Sequence, residues 1–348
     1  MSAAAARTLV VDLRSRARSW ALTDDAERAI REAAPRGWAV VVVQAPTVSD
    51  GDGGRPPSDE ALEAVRDAEA YFGFGVARPL FLAARRLRWA HSGSAGVGGA
   101  LFPEMVASDV LLTNSAGVHA VPIAEHVVGG VIHFLRGFDV AIVQQRRGEW
   151  NKAPFVEEGA AVRELSECRA LVVGCGGLGQ AIAQRLAALG ARVSGLRRRP
   201  ELGAPRGFER VAGLADLDRE LPHADVLVLA APHTPETAGL MTAARLDLLP
   251  RDAVFANVAR GTLVDERALA ERLAAGRLRG AVLDVFAEEP LAPGSPLWQL
   301  ERVLLTPHVS AVSPRRYWER ALELFRDNWH RYDEGRPLRN LVDKRAGY

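Results

Sequence analysis

The sequence predicts an α/β protein made of two doubly wound parallel-sheet domains. Three observations carry that expectation. Short, continuous, β-branched runs alternate with helical patterns along most of the chain, which is how strands covered on both faces read. These runs fall into two series, and 348 residues suffice for about two domains. One run of the second series leads directly into a glycine-rich turn and then a helix, the entry to a doubly wound unit.

The first series of strands is expected at 8–13, 38–44, 70–74, 87–92 and 111–114. The Asp-, Gly- and Pro-rich stretch 47–58 reads as a surface loop within this unit. Segment 120–145 has apolar residues on several faces, among them Ile123, Val127, Val131, Phe134, Phe138 and Ile142. It predicts one long helix that must be buried between domains or between subunits. The second series is expected at 170–174, 191–196, 226–230, 253–258, 280–285 and 303–305. A last helix is expected from the N-cap pair Ser313-Pro314. Its stripe of Trp318, Ala321, Leu322, Phe325, Trp329 and Tyr332 needs a partner surface.

Composition narrows the function classes. Hydrophobic residues make up 48% and charged residues 25%, the balance of an ordinary globular chain. A net charge of +1 offers no field for nucleic acid or anionic lipid. The longest apolar runs, such as Trp38 to Val43, fall far short of the ~20 residues of a membrane span. The Ala-rich N-terminus has no secretory core, and Cys168 and Cys175 are too few for a disulfide framework. A reducing cytoplasm is therefore the expected location. Only Lys152 and Lys344 are lysines among 44 basic residues, so a single arginine carries little information. His119, His126 and His133 recur every seven residues, but that spacing is ~10 Å along a helix, too far to share one ion. No metal site is expected.

The turn Gly174-Cys175-Gly176-Gly177-Leu178-Gly179 follows the strand Leu171-Val172-Val173 and has the G-x-G-x-x-G spacing of a dinucleotide site. Gly174 permits the tight turn, Gly176 lets backbone approach a pyrophosphate, and Gly179 lets helix and strand pack closely. The amides of Gly177 and Leu178 would face the phosphates. The next strand ends in Arg197-Arg198-Arg199, where an NAD-binding unit usually carries an acid. The missing carboxylate favours NADP(H), whose 2′-phosphate a guanidinium can clamp; NAD(H) remains possible. Cys175 reads as a small buried residue with a redox role left open, and His233 has no assignable role.

Three further segments place polar residues just past strand ends: Asn257-Val258-Ala259-Arg260-Gly261, Asp284-Val285-Phe286-Ala287-Glu288-Glu289-Pro290 and Thr306-Pro307-His308-Val309-Ser310. In this order with the glycine turn, they resemble the D-isomer-specific 2-hydroxyacid dehydrogenase family. Ser92 to Val97, Thr113 to Val118, Ala124-Glu125-His126, Thr234 to Thr237 and the ending from Asn340 fit the same pattern, so the likeness extends over most of the chain from about residue 70. Within the family, the arginine-bearing second strand is similar to NADPH-preferring glyoxylate/hydroxypyruvate and other 2-ketoacid reductases.

The resemblance implies a flavodoxin-like substrate domain over 1–117, completed by 312–348, and a Rossmann cofactor domain over 118–311. It implies a homodimer and a small 2-ketoacid substrate. His308 would be the general acid, Glu289 its carboxylate partner and Arg260 the holder of the substrate carboxylate. Backbone amides of Ser94, Ala95, Gly96 and Val97 would hold that carboxylate too. Asp284 would lie near the nicotinamide, with Pro232 and Ala259 also lining the cofactor. Alternatives stay open at this point: an Arg260–Glu289 structural ion pair, Glu288 as the imidazole's partner, and His308 as a hydrogen-bonded loop histidine. Gly98-Gly99 replaces the acid many relatives have after this loop. The rival class is a non-catalytic, corepressor-like dinucleotide sensor on the same fold; a third reading keeps the fold with formate or phosphite as substrate.

Overall fold

The computed structural model describes residues 7–47, 56–157 and 162–347. Most of the 47–58 stretch and of the Ala-rich N-terminus lies outside the described residues. The chain forms two compact units, one running to His119 and resuming at Val312, the other Ala120–Ala311.

The first unit has five parallel strands: β1 (Arg7–Asp12), β2 (Trp38–Val42), β3 (Ala70–Gly73), β4 (Trp89–Ser92) and β5 (Leu111–Asn114). Their order, β2-β1-β3-β4-β5, is the flavodoxin-like one. β3 and β4 are buried along their whole length, as their continuous apolar sequences require, whereas β2 alternates like an edge strand. Leu9, Val11, Phe72 and Trp89 face the helix Tyr317–Asp333, whose stripe of Tyr317, Ala321, Phe325 and Trp329 they bury completely. Phe325 stacks on Phe72 at 4.0 Å and on Trp89 at 5.5 Å. Each such side chain contributes roughly 1.5–3 kcal/mol. That helix starts at Tyr317 and not at Ser313. Residues 313–316 form a turn closed by the Ser313 carbonyl, and Arg316, at φ −120° and ψ 0°, is not helical.

The second unit has seven parallel strands: β6 (Arg169–Val173), β7 (Arg192–Leu196), β8 (Arg210–Ala212), β9 (Val226–Leu229), β10 (Val254–Asn257), β11 (Gly280–Leu283) and β12 (Val303–Leu305). The order β12-β11-β10-β9-β6-β7-β8 is the Rossmann arrangement, with its switch point between β6 and β9. β8 was not expected from sequence. It has three residues, one of them β-branched, and is held by its pairing with β7.

The expected long helix is two helices, Ala120–Leu135 and Phe138–Arg147, bent by 67°. The break is at Gly137, whose φ of +69° ends the first helix; a side chain there would also meet Phe155. The first helix buries Val127, Val131 and Phe134 in the second unit's own core, with Val172, Ile182 and Val282, and not at the boundary between domains or subunits that its apolar faces suggested. The second helix has no buried residue, and Phe138 is 50% exposed. It is tethered by Asp139, which both terminal nitrogens of buried Arg279 reach at 2.7 Å. Among the described residues no single helix is long and apolar enough to cross a membrane.

Candidate functional site

In the second unit the carboxyl ends of β6, β7, β9, β10, β11 and β12 supply the residues singled out from sequence. Gly174, after β6, sits at φ +103°, and a side chain there would strike the backbone of Ala230 and Ala231 after β9. Gly179 lies so close to the Gly174 carbonyl that no Cβ fits. Gly176, the N-cap of the helix Gly177–Ala188, differs: its Cβ position meets no atom within 4 Å. Two of the three glycines thus allow close backbone packing. The third leaves an open cradle before a helix N-terminus, where the amides of Gly177 and Leu178 point outward. These residues fit a dinucleotide.

Arg197 continues from β7. Its amide donates to Ala212 and its guanidinium to the Gly203 carbonyl at 3.3 Å, while Arg198 is exposed. Pro232 lies exposed in the turn after β9, where its carbonyl accepts from Thr237 Oγ1 at 2.7 Å. His233 beside it is exposed too. Cys175 and Cys168 are free and buried. Burial pushes the Cys175 thiol up to about 11, so it stays protonated, which argues against a redox role.

After β10, buried Asn257 fastens the next loop. Its Nδ2 donates to the Arg260 carbonyl at 2.9 Å and its Oδ1 accepts from the Ala259 amide at 3.1 Å. The Arg260 guanidinium reaches the Ala259 carbonyl at 2.7 Å. Gly261 then abuts the backbone of Phe286 and Ala287, so the Arg260 loop and the Glu289 loop lie in direct contact. Glu289 accepts from the Phe286 amide at 3.0 Å through one oxygen and from His308 Nδ1 at 2.7 Å through the other. Glu289 rather than Glu288 therefore holds the imidazole. Glu266 accepts from the Ala287 amide behind this loop, and burial holds its carboxyl above the usual range.

Sequence reasoning missed what places His308. Asp284 is completely buried, and its oxygens accept from Thr306 Oγ1 at 2.6 Å, the Val309 amide at 2.9 Å, the Ser310 amide at 3.1 Å and Ser310 Oγ. His308 itself has φ +53°. A left-handed residue followed by two inward amides makes an anion-binding nest, here filled by a side chain of the same unit. A left-handed non-glycine costs about 1–2 kcal/mol. Each hydrogen bond to a charged group contributes roughly 1.5–3 kcal/mol, so two amides suffice. Because Thr306 donates to Asp284, His126 Nε2 donates to Thr306, at 3.3 Å. That gives His126 of the sequence stripe a structural place. His119 instead stacks on Tyr317, and His133 packs against Phe134 and Phe138.

In the first unit, Ser94 and Val97 are buried and Ala95 and Gly96 are at the surface. The carbonyls of Ser94 and Ala95 accept from the Ser115 amide at 3.1 Å and from Asn114 Nδ2 at 2.8 Å. The Ser94 amide, expected among the donors, instead donates to Ser92 Oγ at 3.2 Å. Among the described residues no protein oxygen accepts from the amides of Ala95, Gly96 or Val97.

Comparison with known proteins fits this arrangement. Residues 128–310 match the family profile described as D-isomer specific 2-hydroxyacid dehydrogenase, NAD binding domain. A glyoxylate/hydroxypyruvate reductase A from Salmonella newport (strain SL254) is 32% identical over 275 residues, covering 77% of this chain and 84% of that one. The crystal structure of a D-isomer specific 2-hydroxyacid dehydrogenase from Xanthobacter autotrophicus Py2, in complex with NADPH and MES, superposes with a TM-score of 0.78 at 32% identity, over 99% of this chain and 100% of that one. An NADPH-dependent glyoxylate/hydroxypyruvate reductase from Sinorhizobium meliloti, in complex with NADP and sulfate, gives 0.77 at 30% identity over 98% and 100%.

The nest makes its own prediction. Asp284→Asn turns one acceptor into a donor facing donors, and should destabilise the unit by about 2 kcal/mol. A thermal melt should show Tm lowered by roughly 4–8 °C. An unchanged Tm would mean that the loop does not depend on this carboxylate.

Proposed function

Because this chain belongs to the D-isomer specific 2-hydroxyacid dehydrogenase family, oxidoreductases that use NAD(P)(H) on 2-hydroxyacids and 2-ketoacids, we propose that it is an NADPH-linked reductase of a small 2-ketoacid, such as glyoxylate or hydroxypyruvate, giving the D-2-hydroxy acid. The observation that carries this reading is the His308–Glu289 contact at 2.7 Å, on a loop whose backbone is held by a buried carboxylate. When bound, the reduced nicotinamide supplies the hydride to the carbonyl carbon. The chain must supply the proton and neutralise the substrate's charge. Glu289 accepts from Nδ1–H, which leaves Nε2–H of the imidazolium to protonate the carbonyl oxygen as negative charge develops there. Arg260 pairs with the substrate carboxylate and polarises the carbonyl; in the first unit, the amides of Ala95, Gly96 and Val97 are donors suited to a substrate carboxylate. NADP(H) is favoured by Arg197 and Arg198 at the end of β7 and by the cofactors of the two solved relatives. We also place the chain in the cytoplasm, a reading that suits two unpaired cysteines.

We further propose that it works as a homodimer. Phe138, Ile142, Trp150 and Val156, on and just after the second of the bent helices, expose 39–90% of their surface, and a second copy would cover them. Sedimentation should give twice the 37.5 kDa chain mass; a monomer would refute this.

The decisive experiment follows NADPH absorbance against a panel of 2-ketoacids. His308→Ala should lower kcat by about 10²–10⁴-fold with KM little changed. Arg260→Ala should raise KM and lower kcat together. Near-wild-type rates in both variants would refute the mechanism, and no turnover of any 2-ketoacid would favour the sensor reading. Arg197→Asp should shift the NADPH/NADH ratio of kcat/KM towards NADH by about tenfold or more; an unchanged ratio would argue against the clamp.

A further inference from the structure

His91 is the penultimate residue of β4, directly before the 92–97 segment, and is completely buried. Its ring packs against Phe72 at 5.1 Å and Phe325 at 5.5 Å. Burial lowers its pKa to about 3, so the imidazole is neutral. Each ring nitrogen meets one hydroxyl: Nδ1 lies 2.7 Å from Thr113 Oγ1, and Nε2 lies 3.4 Å from Ser115 Oγ. The remaining contacts decide the direction of these bonds. Ser115 Oγ donates to the Ser92 carbonyl at 2.9 Å, so it cannot also donate to Nε2. A proton on Nδ1 would leave Nε2 without a donor in a fully buried site, at a cost of about 1–3 kcal/mol. A proton on Nε2 satisfies the set. The Thr113 hydroxyl also lies 3.4 Å from the Ala90 carbonyl, but its one proton goes to the nearer Nδ1 at 2.7 Å. Trp89 Nε1 donates to Thr113 Oγ1 at 2.9 Å, Thr113 donates to Nδ1, Nε2–H donates to Ser115, and Ser115 donates to Ser92.

This relay ends on the first of four consecutive carbonyls that all face inward. The Ser92 carbonyl accepts from Ser115 Oγ, Gly93 from the Tyr317 hydroxyl at 3.3 Å, Ser94 from the Ser115 amide at 3.1 Å, and Ala95 from Asn114 Nδ2 at 2.8 Å. A trans peptide sets each N–H opposite the preceding C=O. Fixing the carbonyls of Ser94 and Ala95 inward therefore turns the amides of Ala95 and Gly96 outward.

We infer that His91, neutral and protonated at Nε2, is a positioning residue that orients the 92–97 loop so that its amides can take the substrate carboxylate. The inference rests on the assignment of that loop to the substrate under the proposed function. It adds a residue that touches neither substrate nor cofactor and acts through Ser115.

Two measurements test it. In selectively ¹⁵N-histidine-labelled wild-type protein, long-range ¹⁵N–¹H spectra should show His91 protonated at Nε2 only, from about pH 5 to 8. A proton on Nδ1, or on both nitrogens, overturns the relay. This arm needs no turnover, so it decides the tautomer even if the chain reduces no 2-ketoacid and the functional reading fails. In the second arm, His91→Phe keeps an aromatic ring but removes both hydrogen bonds. It should raise KM for glyoxylate about tenfold, with kcat and the KM for NADPH within about twofold. His91→Gln, which carries a donor and an acceptor, should recover part of the loss. An unchanged KM in folded His91→Phe overturns the inference. So does an equal loss across kcat and both KM values, the mark of a merely structural residue.

Discussion

The second unit's chemistry depends on one electrostatic constraint, the burial of the Asp284 carboxylate at the end of β11. Every contact it makes is a donor, and all of these donors come from residues 306–310. A buried carboxylate left unpaired would cost several kcal/mol, so the loop after β12 must close over it. Closing it puts His308 in the left-handed region, and from that backbone position its imidazole reaches Glu289. The dyad therefore follows from backbone hydrogen bonds to a group outside it.

The same economy governs the neighbouring loops. Gly174 against Ala230 and Gly261 against Phe286 are approaches that no side chain could survive. They bring the turns after β6 and β9 together, and likewise those after β10 and β11. Each polar residue at these strand ends thus stands on backbone already in contact with another loop. Positional precision comes from close packing and does not require long polar side chains to find one another across open space.

Much of this was legible in the sequence, for identifiable reasons. All eleven expected runs contain a strand, because β-branched residues covered on both faces leave a local signature. β8 left none: Val211 is its single β-branched residue, and its strand character comes from pairing with Ser194–Leu196, far away in sequence. The break at Gly137 was equally hidden. A helical pattern tolerates one glycine, and what bends the chain there is Phe155 alongside and the Arg279–Asp139 pair beyond. For the site, motif order placed Arg260, Glu289 and His308 at strand ends, yet the choice of Glu289 over Glu288 needed coordinates. Asp284 was read as a cofactor neighbour, and nothing local in Thr306-Pro307-His308-Val309-Ser310 announces that four of its groups would converge on that carboxylate.

The two units use backbone dipoles at their strand ends in opposite senses. After β12, consecutive amides turn inward and are satisfied by a buried side-chain anion, so the loop's hydrogen-bonding capacity is spent on holding itself. After β4, consecutive carbonyls turn inward onto Ser115, Tyr317 and Asn114; the amides of Gly93 and Ser94 are spent on the Gly73 carbonyl and Ser92 Oγ, and those of Ala95 and Gly96 are left facing out. The first arrangement suits a loop whose task is to fix one side chain, His308. The second suits a loop whose backbone is itself the ligand, because donors fixed in advance need no reorganisation when an anion arrives. On this argument the polar groups that matter most in each unit are buried ones, Asp284 in one and the His91 relay in the other, since they decide which side of the peptide plane is presented.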